Sequence, residues 1–280
     1  MEALLRVDNL SVSYRARDGR ETTAVRGVGF QVAPGETVGL MGESGCGKSS
    51  VARAIVGLLE KDRATISGSV SYRGENLIGM PERKLEKLRG AAISLIDQEP
   101  GISLCPVMRV GAQIAEVVHA HKKWSWEKCR EEAHSILARV GLEPTHRIFA
   151  AYPHQLSGGQ LQRVVLAQAL VCGPALVIAD EPTASLDAQS QADFIALLGD
   201  LKQRLRMSLL LISHTPEIQA SLADRLIMMR DGSVVEDGRF ERLYGNPVDP
   251  YTAAMLRRRP AIGDGEPAGS RGMAPQGIAR

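Results

Sequence analysis

Apolar and polar positions change period repeatedly along the chain, and each change marks an element. Residues 4–7, 11–14 and 24–32 alternate or run β-branched, the pattern of strands with one covered face, and Asp18-Gly19 between them has turn chemistry. Pro34-Gly35 precedes a short apolar strand at 37–41, a glycine-rich loop, and helical spacing from Lys48 to about Leu59. Strands are predicted at 69–72 and 91–96. From Val107 to about Val140 the period becomes helical, with Ala133, Ile136, Leu137 and Val140 on one face and Gly141 as the stop. A helix at 160–171 and a buried strand at 175–179 follow. Then come a helix at 188–204, a strand at 208–213, a helix at 216–222, a strand at 225–229 and a hairpin at Asp231-Gly232.

This alternation predicts an α/β fold with a mainly parallel sheet covered on both faces, interrupted by a helical block between Gln98 and about Gln160. From Pro260 onward Gly, Pro, Ala and Ser dominate, so the tail is expected to be disordered. The sequence shows no internal repeat.

Composition narrows the function classes. The 280 residues suffice for a real core, and 44% apolar with 24% charged is ordinary for a globular chain. A net charge of +2 gives no electrostatic case for nucleic acid or an anionic membrane surface. Cys46, Cys105, Cys129 and Cys172 are scattered without a C-x-x-C pair, which supports neither a disulfide framework nor a zinc or iron–sulfur site. The nearest approach to a membrane span, 164–179, is broken by Gln168 and Gly173-Pro174, and Glu2, Arg6 and Asp8 interrupt any signal peptide. The expectation is a soluble chain whose membrane role, if it has one, comes from partners.

Three segments carry chemistry. Gly42-Glu43-Ser44-Gly45-Cys46-Gly47-Lys48-Ser49 fits the G-x-x-x-x-G-K-[ST] phosphate loop, between a predicted strand and a predicted helix, with Ser50 following. Its glycines let backbone N–H groups close around phosphates, Lys48 reaches the terminal phosphates, and the Ser49 hydroxyl can ligate Mg²⁺. Leu156-Ser157-Gly158-Gly159-Gln160 places a hydroxyl and two glycines ahead of a helix, an anion-binding end. Asp180 and Glu181 end an apolar strand at the edge where α/β sheets bind ligands. One carboxylate can hold Mg²⁺, and the other can polarise an attacking water. Alone, such a pair is more often a capping turn; downstream of a phosphate loop in the same sheet it reads as catalytic.

In this order, together with Ile96-Asp97-Gln98-Glu99-Pro100, the loop Ser185-Leu186-Asp187 and His214, these segments resemble the ATP-binding subunit of ABC transporters from Leu4 to about Arg257. The resemblance implies a P-loop NTPase, ABC ATPase core with an N-terminal antiparallel β subdomain and an inserted α-helical subdomain at about 98–163. The ATP-binding domain would span 1–256 and the disordered tail 257–280. ATP and Mg²⁺ are implied as ligands. Gln98 would join Ser49 and Asp180 around the metal and sense the γ-phosphate, His214 would hydrogen-bond that phosphate and align Glu181 with its water, and Tyr14 would stack on adenine. Leu156 to Gln160 would cap ATP bound to another subunit, because the helical insert presents them on the far side. The implied partners are a second ATP-binding subunit, identical or homologous and packed head to tail, two membrane permease subunits and, indirectly, a periplasmic or extracellular solute-binding protein. No nucleic acid is implied. The chain would sit peripherally on the cytoplasmic face of the cell (inner) membrane.

Tyr152-Pro-His-Gln-Leu-Ser-Gly-Gly159, Ile178-Ala-Asp-Glu-Pro-Thr183, Gln98-Glu-Pro-Gly-Ile-Ser-Leu104 and Asn246-Pro-Val-Asp-Pro-Tyr-Thr252 are similar to the oligopeptide, dipeptide and nickel importer group. Asp97 departs from the aromatic residue usual there, Cys105 from asparagine, and His214-Thr215-Pro216 from His-Asp. A soluble ABC-type ATPase or scaffold of a cytosolic complex is the competing class. The chain lacks the long heptad arms of repair-type relatives and the second cassette of ribosome-acting ones. A small-molecule kinase would leave Leu156 to Gln160 without a role.

Overall fold

The computed structural model describes residues 2–16, 18–60 and 62–257. The tail from residue 258 onward, where disorder was expected, lies outside the described residues; Arg257 itself ends a helix.

Strands β1 (Leu5–Arg15) and β2 (Glu21–Val32) open the chain as an antiparallel pair. The sequence reads β1 as two pieces because its period breaks at Asn9 and Leu10. The strand instead runs through a bulge there, with Asn9 at φ 47 and a shift of register after Val7. Next come β3 (Thr37–Met41), α1 (Lys48–Ile55), β4 (Ala64–Tyr72), β5 (Glu75–Asn76), α2 (Glu82–Leu88) and β6 (Ile93–Ile96). Helix α1 stops before the expected Leu59. Gly57 adopts φ 65, its N–H reaches Ala54 and the Leu58 N–H reaches Arg53, the double bond pattern that closes a helix on a left-handed glycine.

The helical layer comprises α3 (Pro100–Ser103), α4 (Val110–Lys122), α5 (Trp126–Arg139), α6 (Thr145–Ala150) and α7 (Gly158–Leu170). The predicted helical stretch at 107–140 is two helices. Lys123 turns at φ 53, and the Ser125 hydroxyl accepts the Lys128 N–H to start α5. The chain then returns through β7 (Leu176–Asp180), α8 (Ala188–Leu205), β8 (Ser208–Ile212), α9 (Pro216–Leu222), β9 (Arg225–Arg230), β10 (Ser233–Arg239), α10 (Phe240–Gly245) and α11 (Pro250–Arg257).

The strands form a four-stranded antiparallel sheet ordered β2-β1-β4-β5 and a six-stranded sheet ordered β10-β9-β3-β8-β7-β6. In the second sheet only β10 runs antiparallel. Strand β8 shows why its sequence after Ser208 is an unbroken apolar run. Leu209 and Leu211 join the cluster under the helical layer, while Leu210 and Ile212 join the cluster facing α1 and the antiparallel sheet. Both faces are covered, so both sets of alternating side chains are buried.

Register then decides where the chemistry gathers. Leu40 and Asp180 both pair with Ile212, and Ile96 pairs with Ala179. The loops leaving β3, β6, β7 and β8 therefore emerge side by side at one edge of the sheet.

Candidate active site

The residues leaving those strands line a cleft of about 620 Å³. From the loop after β3 come Glu43, Ser44, Gly45, Gly47, Lys48, Ser49 and Ser50; Gln98 follows β6, Glu181 follows β7, and His214 follows β8. The chain between Met41 and Lys48 is shaped by its glycines. A Cβ on Gly42 would lie 2.2 Å from the Met229 carbonyl oxygen, and one on Gly47, at φ 103, would lie 2.3 Å from that of Ala24. Only glycine fits at either position. Gly47 also starts α1 without a side-chain cap, so the first N–H groups of the helix stay open to an anion.

Lys48 is buried, and its ammonium donates to the carbonyls of Gly42 at 2.7 Å and Glu43 at 2.9 Å. The loop thus holds its own cation folded back onto its own carbonyls. Cys46 does not line the cleft. Its thiol lies 3.7 Å from Lys48 Nζ, and burial pushes it above the ordinary thiol range despite the nearby cation. Tyr14 is half-buried on β1, and its hydroxyl donates to Ser50 Oγ at 3.0 Å, so it abuts α1 outside the cleft lining.

Asp180 lies beneath the cleft, with Oδ1 buried and without a hydrogen-bond partner. Burial raises its carboxyl above the usual range; the Ser49 hydroxyl pulls it back, while Asp97 and Glu181 push it further up. A desolvated, under-coordinated carboxylate beside a hydroxyl calls for a hard cation or its water shell. Ser49, Asp180 and Gln98 are oxygen donors of the type Mg²⁺ prefers, and so fit that ion.

Glu181 is strained and well held. It adopts φ 47, a left-handed conformation costing an L-residue about 1–2 kcal/mol. Its N–H donates to the Ile212 carbonyl at 2.9 Å, which turns the side chain toward the end of β8. There Glu181 Oε1 accepts the His214 N–H at 3.0 Å and faces ring Nδ1 at 2.8 Å. The carboxylate is largely buried while the imidazole remains exposed. The arrangement can present one carboxylate oxygen to a water and an imidazole edge to a ligand.

Asp97, one of the departures noted in the sequence, folds back locally. Its Oδ1 accepts the Gln98 N–H at 2.8 Å, and Oδ2 lies 3.8 Å from the Arg53 guanidinium on α1. Leu156, Ser157, Gly158, Gly159 and Gln160 lie outside the cleft lining. They form the start of α7, where Ser157 Oγ accepts the Gln160 N–H and Gln160 Oε1 accepts the Ser157 N–H, a reciprocal cap that fixes the loop.

Sequence reasoning missed part of the lining. Ala24, Thr215, Pro216, Glu217 and Met255 also face the cleft, and Tyr251 hydrogen-bonds the loop at Glu43. Met255 and Tyr251 belong to a helix more than 200 positions away from the loop, with |i−j| of 208 for the Tyr251–Glu43 contact. No local pattern links them; the Asn246-to-Thr252 stretch was visible only as a likeness.

Comparison with known proteins gives consistent results. The model of the family described as "ABC transporter" matches residues 25–184. The chain is 40% identical over 261 residues to the oligopeptide transport ATP-binding protein OppD of Escherichia coli (strain K12), covering 93% of this chain and 77% of the relative. It is 42% identical over 267 residues to the oligopeptide transport ATP-binding protein AppD of Bacillus subtilis (strain 168), covering 95% and 81%. Among solved structures it superposes on a dimeric ATP-binding cassette in a post-hydrolysis state bound to ADP and Pi. That match has a TM-score of 0.75 at 26% identity and covers 84% of this chain and 98% of that one.

Proposed function

This chain belongs to the ABC transporter family as an ATP-hydrolysing subunit, and from that premise we propose that it energises the import of peptides or related small solutes. The observation that carries the site assignment is the convergence of Lys48, Gln98, Glu181 and His214 on one cleft that contains none of Leu156 to Gln160. In this reading each chain carries both halves of a composite site, one lining the cleft and the other outside it, so a complete site takes two chains. The curated relatives named above are oligopeptide transport ATP-binding proteins, which supports a peptide cargo, and the dimeric cassette supports a second ATP-binding subunit; the position of Leu156 to Gln160 outside the cleft favours head-to-tail packing of the two.

In this reading the N–H groups of the loop and of the first turn of α1 bind the phosphates, and Lys48 leaves the Gly42 and Glu43 carbonyls to meet them. Ser49, Asp180 and Gln98 would hold Mg²⁺, which when bound spreads the charge of the phosphate oxygens. Glu181, fixed by two contacts to His214, accepts a proton from the attacking water. His214 presents its ring to the γ-phosphate. Ser157 and the open N–H groups at the start of α7 close on the partner's nucleotide, and Tyr14 provides an aromatic face for adenine. Loss of the γ-phosphate removes the charge that joined the two subunits, which favours the open pair. The loop from Gln98 to Pro106 carries that change toward two membrane permease subunits and, through them, a solute-binding protein. Among the described residues no helix is long and apolar enough to cross a membrane, in keeping with peripheral attachment to the cytoplasmic face.

The test is turnover set against binding. Glu181→Gln is expected to keep ATP affinity and to lose hydrolysis; full hydrolysis by that variant removes Glu181 as the catalytic carboxylate.

A further inference from the structure

The C-terminal helix reaches the phosphate loop through one hydroxyl. Tyr251 Oη accepts the Glu43 N–H at 2.9 Å and donates to the Met229 carbonyl at 3.3 Å. That N–H belongs to the same planar peptide unit as the Gly42 carbonyl, whose oxygen accepts Lys48 Nζ at 2.7 Å. A single peptide plane is therefore gripped at both edges, by Lys48 on oxygen and by Tyr251 on nitrogen. The Met229 carbonyl can come this close because Gly42 lacks a side chain; it is the oxygen a Cβ there would strike at 2.2 Å.

The surroundings hold the phenol in place. Asp249 Oδ1 accepts the Tyr251 N–H at 2.7 Å and so starts α11. Glu236 on β10 accepts the N–H groups of Val248 at 3.0 Å and Asp249 at 3.2 Å. The Arg230 guanidinium sits 5.3 Å from the centre of the Tyr251 ring. One turn further along α11, Met255 forms part of the cleft wall. The segment from Asn246 to Thr252, to which the catalytic reading gives no task, is built to deliver one hydroxyl to the loop.

We infer that Tyr251 is a positioning residue for ATP binding: it keeps the Gly42–Glu43 peptide plane oriented once Lys48 moves off the Gly42 carbonyl to a phosphate. The inference rests on the reading of the cleft as an ATP site. Without the phenol, the plane loses its hold on nitrogen at the moment it loses its hold on oxygen, and the loop must be ordered at the expense of binding.

Tyr251→Phe keeps the ring and its packing and removes only the hydroxyl. In the full-length variant, the ATP dissociation constant is expected to rise about three- to tenfold. Turnover at saturating ATP should change by less than about twofold, and the melting temperature by less than about 2 °C. An unchanged dissociation constant overturns the inference, as does a rise accompanied by a comparable loss of turnover or a larger fall in melting temperature; each makes Tyr251 a fastening of the helix. Lys48→Ala titrated in parallel separates the two claims. If Lys48→Ala binds ATP as well as the parent, the ATP-site reading fails; if it loses ATP while Tyr251→Phe does not, only the role of Tyr251 fails.

Discussion

Glu181 and His214, 33 positions apart in the chain, share one carboxylate oxygen: Glu181 Oε1 takes both the backbone N–H and the ring Nδ1 of His214, at 3.0 and 2.8 Å. Two groups joined this way act as a unit, so their effects should not add. Glu181→Gln is expected to lower kcat by at least about a hundredfold. His214→Ala, which removes the ring but keeps the N–H, should cost less. The double variant should be about as slow as Glu181→Gln alone, as measured by steady-state hydrolysis with saturating ATP; fully multiplicative losses would show that the pair works independently.

Asp180 is expected to trade stability for function. Its carboxylate is buried with an unpartnered oxygen, and burial together with Asp97 and Glu181 opposes its charge. Asp180→Asn removes that charge at almost constant shape. The nucleotide-free variant should melt about 2–4 °C higher at neutral pH while losing Mg²⁺-dependent hydrolysis. A lower melting temperature would mean that the carboxylate is satisfied by contacts the folded chain provides.

Glu236 makes the C-terminal attachment acid-sensitive. Desolvation works against its charge, but the Val248 and Asp249 N–H groups and Arg242 more than offset this and hold the carboxyl below its usual range. A group lowered in the folded state binds its proton more readily when unfolded, so its contribution is full above the ordinary carboxylate range and is lost as pH falls through the folded value. Glu236→Gln should therefore lower the urea midpoint at pH 7, and the gap from the parent should close in acid. A gap independent of pH would assign the effect to shape and not to charge.

Ser157 should separate binding from turnover. Its hydroxyl caps α7, outside the cleft that holds Lys48. Ser157→Arg is expected to leave ATP affinity of the isolated chain unchanged and to abolish hydrolysis in the assembled transporter, because the arginine blocks the partner's nucleotide. Loss of ATP affinity in the isolated chain would place both half-sites on one nucleotide.

Lys48→Ala should weaken ATP binding itself, since the ammonium is the loop's only lysine and already bridges its carbonyls. An equilibrium titration indistinguishable from the parent would contradict the assignment of the phosphate loop.

Where the signal is local, the chain could be read directly. The strand 37–41 and the helix 216–222 have the bounds the pattern gives, and Lys48 starts α1 as expected, because burial on both faces and a proline at the first helical position write themselves into neighbouring residues. The roles expected of Lys48, Asp180 and Glu181 followed from motif chemistry in the same way. The short helices α2, α10 and α11 are absent from the predicted pattern, since about two turns carry too little periodicity to stand out.

By itself, then, the sequence determined the alternation of elements, the phosphate loop, the carboxylates at a strand end and the family likeness. Each depends on residues close together in the chain, where backbone geometry and side-chain period are fixed. The tertiary structure decided which ends met. Parallel register put Gln98, Glu181 and His214 around Lys48, the helical layer carried Ser157 outside that cleft, and the C-terminal helix brought Tyr251 to Glu43. Such meetings depend on packing and register between distant segments, and a spacing of 208 positions leaves no trace in any local pattern.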